Sequence, residues 1–268
     1  MGLMVLGDDE VKGDSWTGRA RDGVRRLGLA MLDQLYPPCC AGCGAPLSLS
    51  DGLCATCFVA LRPISAPLCP VLGIPFDTDQ GAGALSAEAI ADPPPFGRAR
   101  AAVAYGELAG TLVSRLKYGD RTELALLCGS LMAAAGREFW VDQPLLLPVP
   151  LHPSRLRFRR YNQSLLLAQA VGRLAGVEVD PHLVRRHKRT RQQVGLSGDG
   201  RLRNVQGAFE VHPRFLERLA GRPVVVVDDV YTTGATVKAV TRVLKKAGAE
   251  RVDVLTFARV VIGDDVTI

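Results

Sequence analysis

The sequence predicts an α/β protein in which a parallel sheet is flanked by helices and preceded by a small cysteine-rich module. Three observations carry this expectation. From Arg98 onward, strand-like apolar runs alternate with stretches of helix length. Five of the seven cysteines crowd into residues 39–57. One unbroken run near the end, VVVVDDVYTTGAT at residues 224–236, sets out a buried strand, two acids, a polar turn and a helix start.

The elements follow in order. Residues 1–15 are expected as a flexible tail. They lack a basic n-region and meet acids after a few apolar residues, so they do not read as a secretory signal. Leu6 stands where a myristoylation site needs Ser or Thr. Residues 16–95 are expected to hold an amphipathic helix over 17–35, a metal-binding knuckle, and a Pro- and Gly-rich connector over 63–95 that includes the domain boundary. Residues 96–268 form the α/β domain. It opens with a strand at ARAAVAYG, a helix over 107–117 and another over 122–140. A strand then starts at Leu145 and ends at Pro148 or Val149, and the prolines after it stiffen a loop that Arg155, Arg157, Arg159 and Arg160 follow. The helix over 162–175 is expected to pack through Leu165, Leu166, Ala168 and Val171. No internal repeat is legible.

Four consecutive valines are too short and too β-branched to form a helix, so they read as a central strand covered on both faces and ending at Asp228. In an open α/β sheet, ligands sit beyond the carboxyl ends of the strands. Asp228 and Asp229 fall at that place, followed by the turn Val230, Tyr231, Thr232, Thr233, Gly234, Ala235 and Thr236. Gly234 lets the backbone approach a ligand, and free N–H groups at the helix start near Ala235 suit a phosphate. That helix rests on Val237, Val240, Leu244 and Ala247 and stops at Gly248, before the strand RVDVLTFARV. Two acids would repel a phosphate, so they fit better as acceptors for the vicinal hydroxyls of a ribose. The ligand implied is a ribose 5-phosphate derivative.

Cys40-Ala-Gly-Cys43 and Cys54-Ala-Thr-Cys57 form two CxxC knuckles separated by ten residues, a layout in which four thiolates surround one Zn²⁺. Buried small hydrophobes and a redox switch are the alternative readings, and Cys39 could replace Cys40 with a longer spacer. A four-sulfur shell leaves no open position, so the zinc is structural. Cys128, inside LALLCGSLMAAA, reads as core.

Hydrophobic residues make up 47% and charged residues 22% of the 268, ordinary globular composition. No apolar run approaches the roughly 18 residues that cross a bilayer. With reduced thiols, this places the protein in the cytoplasm. The charge is uneven: residues 154–203 hold twelve Lys or Arg against three Asp or Glu, a surplus of +9 in a chain that is only +6 overall. Such a segment can hold a polyphosphate, a nucleic acid strand or both. The piece RRHKRTRQQVGLSGDGRLRN has no helical period and reads as a long loop. Single-strand binders interleave basic residues with aromatic platforms, and this region offers Phe158, Tyr161 and Phe209.

The run at 224–236 resembles the 5-phosphoribosyl 1-pyrophosphate (PRPP) signature of the type I phosphoribosyltransferases: four apolar residues, two acids, two further residues, then Thr-Thr-Gly-x-Thr. Together with the cysteine knuckles, with LKYGD at 116–120, LLLPVPLHPSRLRFRRYNQS at 145–164 and RTRQQVGLSGDGRLRNVQGAF at 189–209, the chain resembles the ComF family of competence-associated phosphoribosyltransferase-like proteins. It departs from that family at Cys69-Pro-Val-Leu72-Gly73, where many members carry a further CxxC. The resemblance implies a type I phosphoribosyltransferase fold with an N-terminal zinc module. It further implies a PRPP and Mg²⁺ site at Asp228, Asp229 and residues 230–236, with diphosphate contacts near Pro150, Arg155, Arg159 and Arg160. A lid is implied to bring in Arg189, Arg191 and Gln193. The implied reaction displaces pyrophosphate from ribose C1 by an unidentified nitrogen acceptor. The other function implied is a non-catalytic, PRPP-responsive factor in DNA uptake that binds single-stranded DNA. Oligomeric state is not legible.

Overall fold

A computed structural model describes residues 38–47, 52–119, 121–188, 207–219 and 221–261. The expected tail, the helix over 17–35, and the lid residues Arg189, Arg191 and Gln193 lie outside the described residues.

Among the described residues, two short helices precede the sheet, α1 at Ala55–Ala60 and α2 at Ala87–Ala91. The α/β region then runs β1 (Ala99–Ala104), α3 (Glu107–Tyr118), α4 (Leu124–Ala135), β2 (Leu145–Pro148), α5 (Pro153–Arg159) and α6 (Gln163–Ala175). It continues with β3 (Val184–Arg186), β4 (Phe209–Val211), β5 (Val224–Tyr231), α7 (Ala235–Lys246) and β6 (Val252–Arg259). The main sheet is parallel in the order β1-β6-β5-β2, so the valine strand lies inside it, between β6 and β2. β3 and β4 form a separate antiparallel pair.

Because side chains alternate across a strand, β5 feeds two cores. Val225 and Val227 face the layer of α3, α4 and α6, whereas Val224 and Val226 face α7 and the β3–β4 pair. All four valines are at most 1% exposed, which accounts for an uninterrupted apolar run where a half-solvated strand would alternate.

Three expectations are corrected and two are extended. β5 does not end at Asp228 but runs on to Tyr231, because its ladder with β6 continues through Asp228–Thr256, Val230–Ala258 and Tyr231–Arg259. The loop after β2 is present at residues 149–152, and the basic segment that follows it, to which no element was assigned, is helical: His152 caps it, its ring nitrogen accepting the Ser154 N–H at 3.2 Å, and Pro153 pre-sets the first turn of α5. The helix expected over 122–140 breaks after Ala135, and Gly136 leads into a 3₁₀ turn at Arg137–Asp142. The buried face of α6 is wider than expected: Ala168 and Val171 are buried and Leu166 is half-buried against the core, Leu167 and Ala170 join them, and Leu165 is half-buried. Finally, residues 38–47 with 52–60 and residues 67–91 share one backbone scheme, a repeat that the sequence conceals.

Candidate functional site

Asp228 and Asp229 are both buried, yet their carboxylates line a cavity of about 140 Å³ at the carboxyl end of β5. The other walls are Lys117 and Tyr118 from the end of α3, Arg155 and Arg159 from α5, Ser164 from α6, Arg186 from β3 and Thr236 from α7. Four cations from three separate elements therefore face two acids. The helix ends explain the placement: α3 finishes, and α6 and α7 begin, at the same edge of the sheet.

The two acids are not equivalent. Asp229 forms an ion pair with Lys117 Nζ. Burial alone would raise its carboxyl, but the charge and hydrogen bond of Lys117 outweigh it and hold the group below the ordinary carboxylate range. Asp228 accepts a hydrogen bond from Ser164 Oγ at 2.9 Å and from the Asp229 N–H at 3.0 Å. Burial and the neighbouring Asp229 charge nevertheless push it up to about 7. At neutral pH one of the pair is a fixed anion and the other sits at the edge of ionisation. Burial also brings the Arg186 guanidinium down to about 10, with repulsion from Arg155 second.

Past the acids, Gly234 caps α7 in the left-handed region at φ 69°, and the Thr233 hydroxyl accepts the Ala235 N–H at 3.4 Å. A Cβ on Gly234 would collide with the ring and hydroxyl of Tyr231. The glycine is therefore required by its own backbone angle and by Tyr231, a reason beyond the close ligand approach read from sequence. Tyr231 is 2% exposed and turns away from the cavity, with its ring over Arg259 and edge-on to Phe96. Val230, Thr232 and Thr233 are half-buried around the turn.

The remaining expected residues divide. Arg155 and Arg159 reach the cavity, and Arg159 is steered by Tyr118 Oη at 2.9 Å and Gln163 Oε1 at 3.2 Å. Arg160 is exposed and does not line it. Pro150 lines a second, larger pocket of about 530 Å³ with His182, His212 and Phe215, which meets the first across Leu151 and Arg186. Lys117, Ser164 and Arg186 went unassigned in the sequence. Lys117 sits within LKYGD and Ser164 ends LLLPVPLHPSRLRFRRYNQS, so their signal was present; Arg186 carried none, since only folding brings it to Asp228.

The cysteine cluster is compact. The sulfurs of Cys40, Cys43, Cys54 and Cys57 lie within 4.8 Å of one another, with Cys43 and Cys54 at 3.7 Å. Zn–S bonds of about 2.3 Å place tetrahedral sulfurs roughly 3.8 Å apart, so the donor set fits Zn²⁺. Burial opposes ionisation of Cys40, but the amides of Cys43, Cys54 and Gly42 outweigh it and bring the thiol down to about 6. Cys40 joins the cluster, whereas Cys39 is exposed and pairs in a β-bridge with Pro46. Cys128 is buried in the core.

A family model described as double zinc ribbon domain matches residues 31–88, and one described as phosphoribosyl transferase domain matches residues 163–264. The class is thus a zinc-ribbon module joined to a type I phosphoribosyltransferase-type domain. DNA utilization protein YhgH of Shigella flexneri is 32% identical over 229 residues, covering 83% of this chain and 97% of that protein. Competence protein F of Haemophilus influenzae is 35% identical over 161 residues, 58% of this chain and 69% of that protein. Competence protein ComFC of Bacillus subtilis is 24% identical over 224 residues, 80% and 86% of the two chains. The chain belongs to this family, the ComF family. Among the described residues, no helix is long and apolar enough to cross a membrane.

Proposed function

We propose that the protein is a phosphoribosyltransferase that takes PRPP with Mg²⁺ and transfers its ribose 5-phosphate to a nitrogen acceptor. One observation carries the reading: Asp228 and Asp229 share a cavity with Lys117, Arg155, Arg159 and Arg186 at the edge of the sheet where α7 begins. In this reading the amides at the start of α7 take the 5-phosphate, the carboxylates accept the ribose hydroxyls, and the arginines face the diphosphate. Mg²⁺, which prefers oxygen ligands, would be held mainly by the diphosphate and ribose oxygens and would neutralise leaving-group charge. The C1–O bond to pyrophosphate breaks, its electron pair leaves with pyrophosphate, and the acceptor nitrogen forms the new bond to C1 and then sheds a proton. The carboxylates lie where positive charge grows on the ring, and the arginines where negative charge grows on the leaving group. The larger pocket beside Pro150, His182 and Phe215 is the place for the acceptor, next to the cavity but separate from it. This chemistry and the thiolate cluster both suit the reducing cytoplasm.

The test is pyrophosphate release from PRPP and Mg²⁺ across a panel of purines, pyrimidines, amides and ammonia, with Asp228→Asn and Asp229→Asn as controls. Release that persists in both variants refutes the assignment.

A second reading, a PRPP-responsive factor that binds single-stranded DNA without turnover, rests on the outer face of α5. There Phe158 is 77% exposed beside the exposed Arg157 and Arg160. A base can stack on such a ring while the arginines take phosphates, and relatives carry the name DNA utilization protein. PRPP binding without release, together with oligonucleotide binding at low salt that Phe158→Ala weakens, would favour it over transfer.

A further inference from the structure

We infer that the second half of the ribbon module holds no metal, and that the buried guanidinium of Arg259 makes the cross-link that four thiolates and zinc make in the first half. The description of the matching family as a double zinc ribbon implies a second zinc. The residues present do not fit one.

The concealed repeat locates the place. In the first half, Cys40 N–H donates to Ala45 O, Gly44 N–H to Cys40 O and Leu47 N–H to Pro38 O, at 2.7, 2.9 and 2.7 Å. In the second, Cys69 N–H donates to Ile74 O, Gly73 N–H to Cys69 O and Phe76 N–H to Pro67 O, at 2.8, 2.8 and 2.9 Å. The β-bridges Cys39–Pro46 and Leu68–Pro75 match as well, as do the positive φ angles of Gly44 and Gly73. Each knuckle leads to a short helix capped by a side chain: Cys54 Sγ accepts the Cys57 N–H, and Ser86 Oγ accepts the Ala89 N–H, both at 3.4 Å. Each capping residue then returns its own N–H to the first knuckle sulfur. Cys54 N–H points to Cys40 Sγ at 3.3 Å, and Ser86 N–H to Cys69 Sγ at 3.4 Å.

The correspondence assigns Cys69, Leu72, Ser86 and Ala89 to the places of Cys40, Cys43, Cys54 and Cys57. One thiol of four survives, which cannot complete a tetrahedral zinc shell. Cys69, Leu72 and Ala89 are instead buried in a single apolar cluster with Phe96.

A zinc ion joins a knuckle to the start of a helix, and in the second half Arg259 joins the same two pieces. It lies on β6 and is 1% exposed. Its Nη1 donates to the carbonyl oxygen of Leu72, on the knuckle, at 2.7 Å. Its Nη2 lies 3.4 Å from the carboxylate of Glu88, on α2. The guanidinium also lies 4.3 Å from the centre of the Tyr231 ring, the ring that packs against Gly234. The metal-free half is thereby tied to the turn between β5 and α7.

The test is zinc stoichiometry of the full chain, purified under reducing conditions and measured by mass spectrometry of the element and by release to a chromogenic chelator. The wild type is expected to carry one zinc ion per chain; Cys43→Ser should lose it and Cys69→Ser should keep it. Two ions in the wild type, or loss of an ion in Cys69→Ser, overturns the inference. Arg259→Met should retain its zinc while its folding equilibrium constant falls by about tenfold or more, because a buried hydrogen-bonded cation and its partners lose each other. An unchanged urea midpoint in that variant refutes the cross-link.

Discussion

Replacing Lys117 with Met keeps the length of the side chain and removes the charge that holds Asp229 ionised. Asp229 is 8% exposed and Lys117 23%, so the pair is partly desolvated, and Met would leave a buried carboxylate beside Asp228 with no cation in contact. Breaking such a pair by removing one partner costs 3–5 kcal/mol when it is fully buried; the partial exposure of Lys117 puts the expected loss near the lower end, about 3 kcal/mol. Asp229→Asn should cost a similar amount by stranding the ammonium. If the ion pair is the source of both losses, the double variant loses less than their sum by about 2 kcal/mol. Urea unfolding of the four proteins at pH 7.5 measures the cycle. Losses that add to within about 0.5 kcal/mol would show that the pair is not coupled and remove the stated cause of the low Asp229 titration. The pH must stay well above the carboxylate range, since stability from a lowered acid is present above its unfolded value of 3.8 and is lost as pH falls through the folded one.

Asp228 has the opposite sign. Its carboxyl rises from 3.8 to about 7, so its contribution to stability is fully present below 3.8 and is lost as pH climbs through about 7. Asp228→Asn should flatten that decline, and PRPP affinity measured by calorimetry should rise with pH through about 7 in the wild type but not in the variant. Gly234→Val places a branched side chain at φ 69° against Tyr231; complete loss of PRPP binding is expected, and wild-type affinity would remove the assignment of the phosphate to this turn. Cys43→Ser or Cys57→Ser should each release zinc and lower the melting temperature while PRPP affinity is partly retained; unchanged metal content in both would refute the four-thiolate site.

The run at 224–236 was legible because its signals are local: a β-branched strand, a glycine at a positive φ and a helix start lie next to each other in sequence. The same holds for the four zinc-ligating cysteines, whose spacing announces a knuckle before any fold is known. Lys117 and Arg186 were not legible as partners of the acids, because 112 and 42 positions separate them from Asp229 and Asp228 and no periodicity links them. The basic helix α5 carries no helix signal in the sequence, because an N-cap by His152 is an unusual start. The internal repeat is not legible in the sequence because three of the four ligand positions in its second copy carry different side chains, while the backbone hydrogen bonds that define it are invisible in one dimension.

By itself, the sequence determined the α/β class, the strand and turn that carry the two acids, and the thiolate set, each written in adjacent residues or short fixed spacings. Only the tertiary structure decided which acid is ionised, which cations face the pair, and that Arg259 clasps the second knuckle to its helix. Those outcomes depend on burial and on approaches between distant segments, and a carboxyl such as Asp228 acquires its altered titration only when folding removes water and brings a second charge beside it.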